Sequence, residues 1–198
     1  MKDAIRPLEG PYVRLVPLSE HHSDAVVEAA LAHPEIWEYM PFGMGDEAEA
    51  RAGVLQAIGM QAEGRAIFYV MTLRASSELV GGTAILSVDP RVPSFEIGPT
   101  WIVPSHQRTR VNTEAKSLQL AFAFETLGAA RVELKADVRN QRSRTAIARI
   151  GAQFEGILRN HMRRANGSLG DYALFSIVEA DWPSIKCALE AKLSTTES

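Results

Sequence analysis

The 198-residue sequence predicts an α/β (mixed α+β) fold, with a mixed, mainly antiparallel twisted sheet, a central parallel strand pair and helices on both faces. Three observations lead to this class. Some short segments alternate apolar and polar residues, which is the period of a half-buried strand, whereas others repeat apolar residues at helical spacing. In residues 95–138 a strand, a helix and a second strand follow one another, and such a crossover makes the two strands parallel.

The N-terminal third is predicted to contain one strand and two helices. Residues 12–18 alternate after a Gly-Pro turn and form the first strand. Residues 19–32 repeat apolar side chains at helical spacing until Pro34 breaks the pattern. A second helix is expected over about 46–61, because acidic residues such as Glu47 occupy its first turn, where the helix dipole favours negative charge.

Two strands follow and are expected to pair with each other. Residues 66–73 form a buried-looking run, and residues 79–88 form the partner strand after a turn at 74–78. Gly81 and Gly82 lie inside the second strand. Glycine in that position indicates a bulge or the close approach of another backbone.

The next segment organises the rest of the chain. A strand over 95–103 has one apolar face and one face that carries Glu96. A loop with two arginines follows at 105–111, and the pattern then predicts a helix over 112–127 with Asn112 as its N-cap. The first-turn N–H groups of a helix are unpaired and its dipole is positive there, so this arrangement predicts an anion site.

The remaining elements complete the sheet. Residues 131–138 alternate and supply the second member of the parallel pair, and a short helix is expected from 140 to about 150. Segments 152–161 and 172–178 are predicted to form a closing hairpin. A terminal helix is expected over 181–193.

Composition limits the function classes. An apolar content of 46% and a charged content of 23% are ordinary for a soluble globular protein, and residues 1–198 are expected to form a single domain. The formal charge of −3 makes nucleic acid an unlikely partner, although arginines are frequent after residue 139. The sequence has no apolar run of the roughly 20 residues that cross a bilayer and no apolar signal core. The single cysteine, Cys187, forms no internal disulfide, so we expect a cytoplasmic protein without membrane partners.

Four motifs, in this order along the chain, carry a resemblance to a known family. They are the loop Gln-Arg-Thr-Arg-Val-Asn at 107–112, the Asn-x-x-Ser at 140–143, the Gly-Ala-Gln-Phe-Glu-Gly-x-x-Arg at 151–159 and the Asp-x-x-x-Phe-Ser strand at 171–178 followed by Asp-Trp. Over almost its whole length the chain resembles the GNAT N-acetyltransferases, and among them the Rim-type enzymes that acetylate the N-termini of ribosomal proteins. The resemblance implies the GNAT fold.

The chain departs from the family pattern at two motifs. The family loop has the form Gln/Arg-x-x-Gly-x-Gly/Ala and wraps the pyrophosphate of acetyl-CoA, whereas this chain has Arg110 and Asn112 at the glycine positions. Glycine matters in such a loop because it allows positive φ and a close approach of the backbone. Ala152 replaces an aromatic residue of the third motif.

The resemblance implies N-acetyl transfer from acetyl-CoA to a primary amine, either a protein N-terminus or a small amine. Direct attack needs a general base that removes a proton from the amine, N–H groups that stabilise the oxyanion and a proton donor for the thiolate. The alternative is a catalytically degenerate GNAT domain that binds CoA or a protein partner, for which the lost glycines and a missing tyrosine on the second conserved helix would be the signs.

Two residues are the candidates for catalysis. Glu96 is the candidate general base, because the family often places a carboxylate on this strand; the alternative is a glutamate paired with Arg131 or Arg14. Ser176 matches the serine of the Rim-type strand and is the candidate thiolate donor. It could instead fill a polar notch, and Tyr172 is another possible donor.

Two groups of residues are implied to bind acetyl-CoA. Strand backbone contacts the pantetheine, with the Val103 amide as the clamp on the carbonyl, and the loop and helix start contact the phosphates. Arg142 or Arg144 would reach the 3′-phosphate, while Asn140 and Ser143 could equally be helix-entry and N-cap residues. The implied cofactor-binding residues are Trp101, Ile102, Val103, Gln107, Arg108, Thr109, Arg110, Val111, Asn112, Thr113, Asn140 and Ser143.

Three further expectations concern the acceptor, metals and assembly. The aromatic-rich segment with Trp37, Tyr39, Met40 and Phe42 lies where the family's first helices border the acceptor site, and ordinary core packing is the alternative. No His, Cys and Asp spacing resembles a metal site, so no metal is expected. Because dimers are common among GNAT relatives, a homodimer is the expected assembly.

Overall fold

One mixed sheet runs through the part of the chain that the structure describes. The computed structural model describes residues 1–40, 42–89, 91–164 and 167–195. The strands are β1 (Leu8–Glu9), β2 (Val13–Pro17), β3 (Ala66–Leu73), β4 (Leu79–Asp89), β5 (Ser94–Ile97), β6 (Trp101–Ile102), β7 (Arg131–Asp137), β8 (Gln153–Arg163) and β9 (Leu169–Val178). Their order across the sheet is β1-β2-β3-β4-β5-β7-β9-β8, and β6 pairs with β4.

The predicted parallel pair is confirmed between β5 and β7. Ser94 lies opposite Arg131, and Glu96 lies opposite Glu133. The other strand pairs of the described residues are antiparallel. Within the described chain, pairing between β5 and β7 ends at Glu96, and β6 pairs only with β4. The sheet therefore opens between β6 and the second half of β7.

Four of the helices in the described chain pack in two pairs, and a fifth packs against the sheet. They are α1 (Ser23–Ala32), α2 (Glu47–Ala62), α3 (Arg110–Ala121), α4 (Gln141–Arg149) and α5 (Trp182–Ser194). Helices α1 and α2 pack against each other, α3 packs against α5 and the first two strands, and α4 packs against β7 and β9. A π-helical turn at Phe122–Thr126 prolongs α3. No helix in the described ranges is long and apolar enough to cross a bilayer.

Side-chain caps mark where α2 and α3 begin. The Asp46 carboxylate accepts from the Glu49 N–H at 2.8 Å and starts α2 where the sequence predicts it. The start of α3 was predicted wrongly: Thr109 is its N-cap and accepts from the Val111 N–H, so Asn112 lies inside the first turn. Both residue types cap well, and the sequence pattern alone does not separate them.

Gly81 and Gly82 allow β6 to lie close against β4. A Cβ atom on Gly81 would lie 2.4 Å from the Trp101 carbonyl oxygen, and one on Gly82 would lie 2.5 Å from the Trp101 indole nitrogen. Neither separation is compatible with van der Waals radii. The predicted close approach of another backbone is therefore present, and it places Trp101 on the wall of the opening.

A buried carboxylate attaches the first strands to α3. Glu114 accepts from the backbone N–H groups of Tyr12 at 3.0 Å and Val13 at 2.5 Å. Gly10 leaves room for it, because a Cβ atom there would lie 2.6 Å from Glu114 Cδ. Burial raises the pKa of Glu114, although the two N–H groups oppose that shift. This contact holds the N-terminal strands against the helix whose first turn borders the opening.

Candidate functional site

A cavity of about 1230 Å³ occupies the opening between β6 and β7. Its walls are the strand segment from Glu96 to Ile102, the loop before α3, the start of α4 and the inner side of α2. The two ends of this cavity differ in the polarity of their lining. Basic side chains lie at the end near α3 and α4, and apolar side chains lie at the end near α2 and β3.

The backbone at the opening presents an amide to the cavity. The Val103 N–H donates to the Val80 carbonyl at 3.0 Å, and Trp101 is paired with Gly82, so both face β4. In an antiparallel ladder alternate residues point to opposite sides, so the amide of Ile102 faces the opening. The predicted role of the Val103 amide as carbonyl clamp is therefore wrong, because that N–H is already used in the sheet.

The loop before α3 accommodates its non-glycine residues without strain at the family's glycine positions. Arg110 and Asn112 have helical conformation because α3 begins at Arg110. The positive φ of this loop falls on Arg108, at 63°. Gln107, between strand and helix, donates from its side-chain amide to the Ile102 carbonyl at 2.9 Å. The chain thus keeps a strand–loop–helix connection in which Arg108, rather than a glycine, adopts the left-handed conformation.

The predicted loop residues divide into two groups. Gln107, Arg108, Thr109 and Asn112 line the cavity. The other three have side chains outside the cavity lining of the described residues: Arg110 lies 5.0 Å from the centre of the Tyr12 ring, and the side chains of Val111 and Thr113 are buried. The prediction that the Arg110 side chain lines the phosphate site is therefore not supported by its position.

Three arginines give the cavity a basic end. Arg108, Arg142 and Arg149 line it. Arg142 donates to the Gln107 carbonyl oxygen Oε1 at 2.5 Å, and Arg149 donates to Thr113 Oγ1 at 3.3 Å. Both partners are neutral, so the two guanidinium charges are not neutralised by these contacts. Sequence reasoning missed Arg149 as a site residue; its place seven residues after Arg142, on the same face of α4, was the available signal.

Asn140 and Ser143 border the same end of the cavity. Asn140 is the N-cap of α4, because the Ser143 N–H donates to Asn140 Oδ1 at 3.0 Å, so the interpretation of Ser143 as the N-cap is wrong. The preceding residue of the turn, Asp137, is buried and accepts from Arg139 at 3.0 Å and Arg164 at 2.7 Å. Burial opposes the charge, but the two arginines lower the pKa of Asp137 to about 2. This ion pair fixes the start of α4 relative to β7.

Glu96 lines the cavity and is ion-paired with a residue that was not foreseen. Its Oε2 accepts from Lys135 Nζ at 2.7 Å, and Lys135 also lies 3.0 Å from Glu133. The expected alternative partners, Arg131 and Arg14, do not make this pair. Arg131 instead pairs with Glu133 and Glu155, and Arg14 pairs with Glu9.

Ser176 lies outside the cavity lining of the described residues. Its hydroxyl donates to Glu155 Oε1 at 2.5 Å, and Glu155 is paired with both terminal nitrogens of Arg131. Arg131 first and Ser176 second lower the pKa of Glu155 to about 2. The structure therefore favours the polar-notch alternative for Ser176, because its proton is already donated to a carboxylate.

Tyr172, the other candidate thiolate donor, lines the cavity, unlike Ser176. It is buried and lines the cavity, and its hydroxyl has no hydrogen-bond partner among the described residues. Burial, and secondly the nearby Asp137 carboxylate, raise the pKa of Tyr172. A buried hydroxyl without a partner is uncommon and marks a place where a ligand atom can be accommodated.

Lys116, which sequence reasoning missed, is a buried amine beside the opening. Only 5% of the residue is exposed, yet it lines the cavity. Its Nζ lies 2.6 Å from Thr100 Oγ1, 3.2 Å from Gln119 Oε1 and 3.3 Å from Thr83 Oγ1. Burial lowers the pKa of Lys116 to about 7. A lysine on the apolar side of α3, four residues before Leu120, was the sequence signal for it.

The far end of the cavity is apolar. Met40, Phe42, Met44, Met60 and Phe68 line it. Tyr39 also lines the cavity, whereas Trp37 is a core residue that donates to the Ala30 carbonyl at 3.2 Å and packs on Trp101. Within the aromatic-rich segment, Tyr39, Met40 and Phe42 therefore line the cavity, whereas Trp37 belongs to the core.

The described residues contain no group of three or more His, Cys, Asp or Glu side chains that could hold a metal ion. The site consists of cations, an outward-facing amide, one ion-paired glutamate and an apolar end. Such an arrangement can bind an elongated anion whose uncharged part lies along the parted strands.

The sequence and the fold are similar to those of known proteins. The family model described as an acetyltransferase (GNAT) domain matches residues 13–153. A GCN5-related N-acetyltransferase from Brucella melitensis is 30% identical, superposes with a TM-score of 0.85 and covers 94% of this chain and 85% of its own. The uncharacterized N-acetyltransferase YoaA of Bacillus subtilis is 25% identical over 87% of this chain and 96% of its own.

A likeness in fold extends to a Rim enzyme. Mycobacterium smegmatis RimJ in complex with CoA-disulfide superposes with a TM-score of 0.80 at 21% identity, covering 96% of this chain and 93% of its own. At that identity the likeness concerns the fold, with its mostly antiparallel sheet and one parallel pair. The matched domain, the fold and the strand opening lead to one conclusion: the chain belongs to the GNAT family of acetyltransferases.

Proposed function

We propose that this protein transfers the acetyl group of acetyl-CoA to a primary amine that carries an apolar group, by direct attack with general-base assistance. One observation carries the proposal: the outward-facing amide of Ile102 lies between a basic end and an apolar end of the same cavity. Acetyl-CoA supplies an activated thioester carbonyl. The residues present fit it, because the cavity offers cations for phosphates and an amide for a pantetheine chain.

The basic end holds the phosphates. Arg108, Arg142 and Arg149 supply charge, and the start of α3 adds the positive end of the helix dipole. Thr109 and Asn112 border that helix start. Asn140 and Ser143 border the same region from α4, and Gln107 links the loop to both Ile102 and Arg142.

The strand opening binds the chain between phosphate and thioester. The Ile102 amide donates a hydrogen bond in the manner of an added β-strand. Trp101 and Ile102 form the adjoining wall. An amide that faces the carbonyl oxygen stabilises the negative charge that develops on it, and in the absence of competing water this is the largest single contribution to such reactions.

Glu96 is the proposed general base. It is the cavity carboxylate on the strand that leads into the opening, and Lys135 fixes its orientation. A carboxylate in this position accepts a proton from the acceptor ammonium, through a water molecule when the amine lies beyond hydrogen-bonding reach. No covalent enzyme intermediate is needed, in agreement with an exposed Cys187.

The charges around the cavity favour an acceptor with one amine. Among the described lining residues five are basic and three are acidic, namely Glu49, Glu96 and Asp137. Glu96 and Asp137 are already ion-paired, and Glu49 accepts from the Gly45 N–H at 2.9 Å. A polyamine would therefore find few free carboxylates. The methionine-rich end instead accommodates an apolar group of variable shape.

The test is a thiol-release assay with acetyl-CoA and three acceptors. Phenethylamine and a short peptide with N-terminal leucine are expected to be acetylated, and spermidine is expected to react at least ten times more slowly. Met60→Ala, which enlarges the apolar end of the cavity, provides the control. This change should affect KM for the apolar amines more than kcat. Equal rates with spermidine would contradict the acceptor class, and no transfer to any amine would contradict the proposal as a whole.

A further inference from the structure

Lys116 is a titratable group that faces the strand opening and has no role in the transfer described so far. We propose that Lys116, acting through the hydroxyl of Thr100, supplies the proton that the CoA sulfur takes up when the acetyl group leaves. The inference rests on the proposed function, because it concerns the same cavity. Lys116 is a positioning and relay residue in this scheme, and Thr100 is the residue that faces the ligand.

The geometry forms a short relay. Lys116 Nζ donates to Thr100 Oγ1 at 2.6 Å, and Thr100 Oγ1 lies 2.8 Å from Thr83 Oγ1. Lys116 is buried, whereas Thr100 is half-buried and lines the cavity at the point where the strands part. A proton can therefore pass from a site closed to solvent to a hydroxyl that faces the ligand.

The hydrogen-bond partners suit both protonation states of the amine. The three oxygens around Nζ belong to two hydroxyls and one amide, so none carries a charge. Gln119 is held in place because its side-chain amide donates to the Ala84 carbonyl at 3.1 Å. Hydroxyl groups either accept or donate, so Thr100 and Thr83 can accept from the ammonium and donate to the neutral amine.

The Lys116 amine has hydrogen-bond partners but no ion-pair partner among the described charged groups around the cavity. Lys116 has no carboxylate within ion-pair distance in the described chain, and Glu114 on the same helix bonds to Tyr12 and Val13 instead. The other charged side chains of the cavity lining are Glu49, Glu96, Arg108, Lys135, Asp137, Arg142 and Arg149. With burial as the cause, the pKa of Lys116 is about 7, so the group exchanges a proton near neutral pH.

The proton balance is complete without a further reactant. When the C–S bond breaks, the sulfur keeps the electron pair. Thr100 gives its hydroxyl proton to that sulfur and receives one from the Lys116 ammonium, which becomes a neutral amine. The acceptor ammonium loses two protons in all. Glu96 takes the first and releases it to solvent, and the second, lost as the nitrogen forms the amide bond, returns to Lys116 through the cavity and Thr100.

Tyr172 is the competing donor. Its hydroxyl is buried in the same cavity and has no partner among the described residues. Burial raises the pKa of Tyr172, which makes it a weaker acid than a free tyrosine. Lys116 is better matched to the task, because an efficient proton donor has a pKa near the operating pH.

The test measures the pKa of the CoA thiol in its complex with the protein, from the ultraviolet absorbance of the thiolate. The background is Cys187→Ser, which removes the single protein thiol. In the parent the thiolate and the Lys116 ammonium stabilise each other, so the two groups titrate as a coupled pair, and in Lys116→Met we expect the thiol pKa to rise by about one unit or more. Tyr172→Phe should leave it unchanged. Thr100→Val keeps the charge but breaks the relay, so its thiol pKa should stay low while acetyl transfer slows.

The outcomes separate this inference from the proposed function. If the parent protein does not bind CoA in calorimetry, the proposed function fails. If CoA binds and the thiol pKa is the same in Lys116→Met and the parent, the relay is overturned. A shift in Tyr172→Phe alone would also overturn it, in favour of the tyrosine. Lys116→Arg keeps the charge with a group that does not deprotonate, so it should bind CoA normally and lose the pH dependence of transfer near pH 7.

Discussion

Lys135 Nζ donates to Glu96 Oε2 at 2.7 Å, across the parallel strand pair at the point where the two strands part. Lys135 also lies 3.0 Å from Glu133, so one cation is shared by two carboxylates. Burial opposes the charge on Lys135, but Glu96 and Glu133 together raise its pKa. Lys135 therefore stays charged at neutral pH and holds the Glu96 carboxylate at the edge of the cavity.

The first prediction concerns this carboxylate. Glu96→Gln should lower kcat for acetyl transfer by about 100-fold or more, because a positioned base contributes roughly 10²- to 10⁴-fold. Acetyl-CoA binding should change little, since the phosphate end is untouched. Glu133→Gln is the matched control, because it removes the other carboxylate of Lys135, and its rate should stay within about tenfold of the parent. Equal rates for Glu96→Gln and the parent would show that another group is the base.

A second prediction separates backbone strain from charge at Arg108. Its φ of 63° favours glycine, and an ordinary residue in that conformation costs about 1 kcal/mol. Arg108→Gly should therefore raise the free energy of unfolding by about 0.5–1 kcal/mol, whereas Arg108→Ala should not. Both changes should weaken acetyl-CoA binding, because both remove the cation. Denaturant unfolding and calorimetry measure the two effects, and an unstable Arg108→Gly variant would contradict the strain argument.

A third prediction follows from the pKa of Lys116, which burial lowers to about 7. Between about pH 7 and 10 the unfolded chain holds a proton on this lysine and the native protein does not, so native stability rises with pH. Relative to Lys116→Met, the free energy of unfolding of the parent should rise by up to about 1.4 kcal/mol per pH unit in this range. A difference that is independent of pH would mean that Lys116 titrates normally.

A fourth prediction tests the close approach of β6 to β4. Gly82→Ala places a Cβ atom where the Trp101 indole nitrogen lies 2.5 Å away, so the ring must move. We expect a loss of about 1–3 kcal/mol in unfolding free energy and weaker acetyl-CoA binding. Gly59→Ala in α2 is the control with the opposite sign, since nothing lies within 4 Å of that Cβ and alanine favours helix by about 1 kcal/mol. An unchanged Gly82→Ala variant would contradict the packing argument.

Much of the fold follows from the sequence because its longer elements have a strong period. The strand predicted at 66–73 is Ala66–Leu73 in the structure, and the parallel pair follows from one crossover. The two-residue strands were not foreseen as separate elements, because two residues are too few to show a period. At the start of α3 both Thr109 and Asn112 are residue types that cap helices well. Thr109 is the N-cap, three residues before the position that the apolar pattern predicted.

The site was less accessible to sequence reasoning, because it depends on partners from distant segments. Glu96 is paired with Lys135 and Ser176 with Glu155, and no local pattern reveals either choice. Which amides face the cavity depends on the alternation of residues along the strand. The strand is interrupted between β5 and β6, so its alternation could not be followed from the sequence, and the Val103 N–H donates to Val80 in the sheet. Lys116 depends on three oxygens from three separate positions.

The basic loop was foreseen, and the structure explains how it forms without glycine. The two positions where the family has glycine lie in the first turn of α3, where any residue type is tolerated. The lost glycines therefore no longer favour a degenerate domain. Arg139 and Arg164, which belong to the arginine-rich part of the chain, both donate to Asp137.

The most direct measurement is a calorimetric titration of the purified protein with acetyl-CoA, repeated with Arg108→Ala plus Arg149→Ala. We expect a micromolar Kd in the parent, about −8 kcal/mol, and at least a tenfold loss in the double variant. Arg65→Ala, which removes an exposed arginine paired with Glu63 away from the cavity, should bind as the parent does. No binding at millimolar acetyl-CoA, or equal binding by the double variant, would contradict the assignment of this cavity to the cosubstrate.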